Sequence, residues 1–143
     1  MSTPRLKLSR ALRKRLAEAA NHRCSYCRSP VIVGIPMVID HILPLVAGGS
    51  SSFDNLCLAC YRCNERKGKR INDIDPLTGA TVFLFNPRSQ NWVDHFAWHE
   101  NDLEIVALSD VGRVTVQLLR LNDEWLIQAR RLWKISGVHP PLE

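Results

Sequence analysis

No stretch of this 143-residue chain is apolar for long enough to read as a membrane span. The longest apolar run, residues 31–39, is broken by Gly34 and Pro36 and is about half of the ~20 residues that a spanning helix needs. The first sixteen residues are rich in Arg and Lys but lack the apolar core and small-residue cleavage site of a secretory signal. An Arg-rich start of this kind is also compatible with an organelle presequence, but the reading taken is a cytoplasmic protein without a membrane partner. No Gly-x-x-x-x-Gly-Lys loop occurs, which excludes phosphoryl transfer from a nucleotide held on a P-loop. No histidine is followed two places later by Glu, which excludes a zinc base deaminase. Internal repeats and low-complexity tracts are absent as well.

What is present describes one globular domain over 1–143, since 45% apolar and 23% charged side chains suffice for a modest core. The net charge of +5 is unevenly placed. Residues 1–23 hold seven Lys/Arg against one acid, residues 62–70 hold five against one, and residues 71–119 hold two against seven. Grouped cations suit a polyphosphate partner, because each phosphate neutralised releases condensed counterions, so nucleic acid is the first candidate. Charge alone fits a solvated helix face equally well.

The five cysteines are an odd number in a chain with no secretion signal, which argues against a disulfide framework. Four of them are paired by spacing. Cys24-Ser-Tyr-Cys27 and Cys60-Tyr-Arg-Cys63 are two C-x2-C knuckles, the four thiolates of a tetrahedral zinc site. The 32 residues between them exceed a short zinc ribbon, so something substantial is inserted. An iron site or a redox dithiol is the alternative, although neither knuckle has the glycine that usually follows a rubredoxin-type second cysteine. Cys57 lies outside both pairs and reads as a small buried residue.

Along the chain, Ser9 caps a predicted helix to about Ala20, with Asn21 as a left-handed stop. Residues 31–33 and 37–42 read as strands, Gly48-Gly49-Ser50-Ser51-Ser52 as a flexible loop, and the second knuckle opens a helix that Gly68 stops. A turn at 76–79, strands at 81–85, 92–98 and 104–108, and helices at about 111–121 and 123–134 complete the reading. Trp92, Phe96 and Trp98 are expected in the core rather than as a base-stacking platform.

The insert contains Asp40-His41-Ile42-Leu43-Pro44, then Gly48-Gly49, then Asp54-Asn55-Leu56, and the second knuckle is followed by Asn64 and Lys67. This order, from Cys24 to Lys67, resembles the HNH endonuclease family. Asn64 stands where the second histidine of the family's name would be, which makes this an H-N-N variant. Asn86-Pro87-Arg88 and Trp92-x-x-His95-Phe96-x-Trp98 are similar, more weakly, to a tail on some bacterial members. The resemblance implies an α+β fold with a zinc-stabilised ββα-metal (His-Me finger) core over 22–70. An N-terminal helix precedes that core, and a C-terminal extension over 71–143, a β-hairpin plus two helices, packs on it.

It also implies a hydrolase acting on phosphodiester bonds of DNA, nicking one strand per active site; double-strand cutting would need a homodimer or two nicks. An enzyme for this reaction must remove on the order of 20 kcal/mol from the barrier, and a divalent cation is an economical source. Asp40 and Asn64 offer hard oxygens for Mg²⁺ or Mn²⁺. His41, placed at a strand end so that it can share a site with Asp40, is the candidate general base. Asn55 is expected to brace the His41 loop through side-chain to backbone hydrogen bonds. Lys67, Arg66, Arg13 and Lys14 are candidate phosphate contacts. Asn64 as a mere helix cap, and His95 with His99 as a second metal pair, are the competing local readings. The competing function is a non-catalytic zinc-knuckle module that binds nucleic acid.

Overall fold

The structure, a computed structural model, describes residues 8–142; the basic Arg5 and Lys7 lie outside the described residues. Helix α1 (Arg10–Ala19) begins where the Ser9 hydroxyl accepts from the Leu12 amide at 3.1 Å. It stops because Asn21 and His22 turn left-handed, at φ 51° and 55°. Leu16 is its buried residue, while Arg10, Arg13, Lys14 and Arg15 remain exposed.

Strand β1 (Met37–His41) pairs antiparallel with β2 (Leu56–Cys60), Met37 opposite Cys60 and His41 opposite Leu56. Helix α2 (Tyr61–Lys67) follows β2 without a loop, because the Cys60 sulfur itself accepts from the Cys63 amide at 3.4 Å. These three elements are the ββα unit. The β1–β2 connection is shaped by two glycines with different duties. Gly48 takes φ +91°, and a Cβ on Gly49 would come within 1.8 Å of the Leu43 carbonyl oxygen.

The rest of the chain supplies β3 (Asn72–Ile74) paired with β4 (Thr81–Phe83), α3 (Trp92–His95), β5 (Phe96–Trp98) paired with β6 (Ile105–Ala107), α4 (Asp110–Leu119) and α5 (Glu124–Ile135). Helix α4 packs on α2, and Asp123, the N-cap of α5, is held by Arg62 at 2.9 Å and Arg66 at 3.2 Å. The four knuckle cysteines lie inside the hydrophobic core, among Tyr26, Phe85, Trp92, Phe96, Ile105, Leu119 and Leu126. The fold is α+β with a cysteine-centred ββα core, and no described helix is long and apolar enough to cross a membrane.

Three expectations need correction. Residues 31–33 are not a strand: among the described residues no strand pairs with them, Gly34 turns at φ +94°, and Val33 is fully exposed. β-Branched residues favour a strand only where a neighbouring strand receives them. Residues 92–98 split into helix and strand. Trp92 and Phe96 are four apart, a spacing that helical and extended periods share, and Trp92 packs on Phe96 with ring centroids 5.1 Å apart. The extension also holds two β-pairs where one hairpin was expected, because residues 72–74 are too short and too polar to announce a strand.

Candidate active site and metal centre

The sulfurs of Cys24, Cys27, Cys60 and Cys63 all lie within 4.8 Å of one another, and all four residues are buried. The Cys27–Cys60 sulfur separation is 3.6 Å, close to the ~3.8 Å edge of a tetrahedron with ~2.3 Å metal–sulfur bonds. Four thiols this close in a dry core cannot ionise together without a cation. Burial pushes the Cys24 thiol up and hydrogen bonding with its neighbours pushes Cys63 up, whereas hydrogen bonds from Cys24 hold Cys27 and Cys60 down. The donor set suits a structural zinc ion. Arg130 of α5, itself buried, adds a positive charge whose field reaches all four sulfurs; burial lowers its pKa to about 10, so it stays protonated at neutral pH.

Tyr26, inside the first knuckle, points away from the sulfurs and donates its hydroxyl to Asp40 Oδ2 at 2.7 Å. Asp40, 2% exposed, is also reached by the Asn64 amide at 3.1 Å on Oδ1 and by Lys67 Nζ at 3.2 Å on Oδ2. The Cys57 thiol is 3.7 Å from the same carboxylate, and its pKa is pushed up to about 12 by burial and then by the Asp40 charge. Cys57 is therefore an inert thiol.

His41 ends β1, and its Nε2 meets the Ser51 hydroxyl at 3.0 Å. Asn55 staples the intervening loop: its carbonyl accepts from Leu43 N at 2.8 Å, and its amide donates to Leu43 O at 2.9 Å and Ser50 O at 2.8 Å. Asp40, His41 and Asn64 line one open cavity of about 460 Å³, with Pro44, Leu45 and Val46 as an apolar wall and Lys69 on the rim. The Asn64 amide nitrogen donates to Asp40 Oδ1 at 3.1 Å, which sets the two side chains next to each other on this cavity. Asn64 lies inside α2, whose cap is Cys60, which removes the capping alternative.

The four expected phosphate contacts separate. Lys67 is buried, and its ammonium also donates to the His41 and Ile42 carbonyls at 2.9 and 3.1 Å, so it faces inward. Arg66 is engaged with Asp123 and with the carbonyls of Leu119 and Arg120 at the end of α4. Arg13 and Lys14 face solvent on α1, Lys14 beside Glu18 at 3.9 Å. His95 binds Ser109 at 2.7 Å, and among the described residues no third ligand gathers with it and His99. Tyr26 and Ser51 were not singled out by sequence: one looked like knuckle filler and the other like part of a flexible loop.

Residues 24–70 match the model of the family described as HNH endonuclease. They form an HNH domain. Across 121 residues the chain is 29% identical to the CRISPR-associated endonuclease Cas9 of Corynebacterium diphtheriae, covering 81% of this chain and 11% of that protein. The likeness therefore extends beyond the HNH domain into its flanks, while the chain spans only about a tenth of the relative's length.

Proposed function

We propose that the chain is a metal-dependent DNA endonuclease that hydrolyses one phosphodiester bond per active site, with His41 as general base. The convergence of Asp40, His41 and Asn64 on one solvent-open cavity carries this reading. In the tautomer that donates Nε2–H to Ser51, the other ring nitrogen of His41 is the one that would take the proton of an attacking water. Asp40 and Asn64 would hold Mg²⁺ or Mn²⁺, whose chemistry is to neutralise the scissile phosphate and the departing oxygen. Lys67 positions the machinery: it ties the Asp40 carboxylate to the two backbone carbonyls that follow it and so fixes the strand end presenting His41. Asn55 and Gly49 set the loop on the other side.

The knuckles hold zinc and a cytoplasmic, reducing setting keeps their thiols available. The test is supercoiled plasmid incubated with Mg²⁺, Mn²⁺ or EDTA, wild type beside His41→Ala. Metal-dependent conversion to nicked circles, lost in the variant, is expected. Binding without nicking by both proteins would mean a non-catalytic nucleic-acid module.

A further inference from the structure

Phe53, in the turn leading into β2, holds two guanidiniums over its ring. Arg15 of α1 lies 3.7 Å from the ring centroid and Arg88 of the extension 4.4 Å. The two cations are thus within about 8 Å of each other, no more than a Debye length at physiological salt. Neither forms an ion pair among the described residues. Two like charges brought this close without a carboxylate are unfavourable unless an anion comes between them or across them. The ring fixes the guanidinium planes through cation–π attraction and leaves N–H edges for a bidentate anion.

The pair is fastened to the parts that place His41. Arg88 Nε donates to the Leu56 carbonyl at 2.9 Å, and Leu56 is the residue opposite His41 in the β1–β2 ladder. Ser51, which binds His41, is two residues before Phe53. On its other side Arg88 lines a small polar cavity of about 140 Å³ with Arg28, Ser25 and Gln90, and the Arg28 guanidinium lies 5.0 Å over Trp92. Cationic groups therefore run from α1 past the active-site strand into the extension.

We infer that Arg15 and Arg88, held on Phe53, form a clamp for a backbone phosphate of the nucleic-acid strand that enters the His41 cavity. The clamp rests on the nuclease reading above and names a surface for its substrate. It joins α1, the ββα unit and the extension in one binding face, a role that none of the three could fill alone.

The experiment uses the full chain carrying His41→Ala, so that the probe survives, and fluorescein-labelled DNA duplex followed by anisotropy through a KCl series. Arg15→Gln and Arg88→Gln should each weaken binding about tenfold at low salt and flatten the log–log salt slope by about 0.9. Phe53→Leu, which keeps both charges, should weaken binding while leaving the slope nearly unchanged. Arg131→Gln on α5 should match the parent. Zinc content and thermal unfolding check that each variant is folded; if Arg88→Gln is not, Arg15→Gln on the exposed helix face decides alone. Parental affinity and slope in the folded arginine variants overturn the clamp and leave plasmid nicking untouched. A parent that binds no DNA at low salt, from a wild type that does not nick, overturns the nuclease reading and the clamp together.

Discussion

The two clusters of metal-seeking side chains are built in opposite ways. The sulfur cluster closes on itself: four buried cysteines from two knuckles, their sulfurs all within 4.8 Å, with core aromatics around them. The pair proposed to hold the catalytic ion is open: Asp40 and Asn64 line a cavity of about 460 Å³, which would leave the remaining coordination to water and substrate. The first arrangement suits an ion that holds a fold together, the second an ion that must exchange ligands during a reaction. Tyr26 links them, its backbone between Cys24 and Cys27 and its hydroxyl on Asp40.

Breaking the closed cluster should have the largest effect. Structural zinc contributes ~10 kcal/mol or more to folding in small domains, and here the cysteines sit in the middle of the core. Cys60→Ser is expected to give an insoluble or molten chain, seen as loss of zinc and of a cooperative thermal transition. A folded, fully active Cys60→Ser protein would refute the division of labour between the two clusters. His41→Ala touches only the open side: cleavage should fall by about 10²–10⁴ while stability changes by less than about 1 kcal/mol. Plasmid nicking and thermal unfolding on the same sample read both numbers.

Lys67→Met should fall between these two, because it is buried where the open site meets the core. Removing the ammonium leaves the 2%-exposed Asp40 carboxylate without its charge partner, which costs about 3–5 kcal/mol. Urea unfolding of the zinc-loaded variant measures it. Stability equal to wild type would mean that Asp40 relaxes to solvent and is not fixed by Lys67.

Much of this arrangement was legible in the chain, and what was not has identifiable causes. Spacing alone announced the sulfur cluster, because two C-x2-C pairs supply the four ligands of one tetrahedral site. Several helix boundaries were legible through local chemistry: Ser9, Asn21 and Gly68 each act on their own backbone. Residues 31–33 were misread because strand formation depends on a partner elsewhere in the chain. Lys67 and Arg66 were misread for a related reason. A charge run looks the same in sequence whether its members face phosphate or, as here, a buried carboxylate and the carbonyls ending α4. Tyr26 gave no signal, since the residues between two zinc cysteines vary freely unless one of them reaches something outside the knuckle.

That reach makes Tyr26→Phe the finest probe of the comparison. The substitution keeps the ring, which is fully buried, and deletes only the hydroxyl. A hydrogen bond to a charged acceptor is worth about 1.5–3 kcal/mol, so a modest loss of stability is expected with zinc content unchanged. If the knuckle also orients Asp40 for the catalytic ion, the Mn²⁺ concentration giving half-maximal nicking should rise several-fold, and Mn²⁺ binding followed by its paramagnetic signal should weaken in step. If nicking and Mn²⁺ binding are unaltered while stability falls, Asp40 is held by Lys67 and Asn64 alone. The closed cluster would then support the open one only by keeping the fold intact, not by aiming its carboxylate.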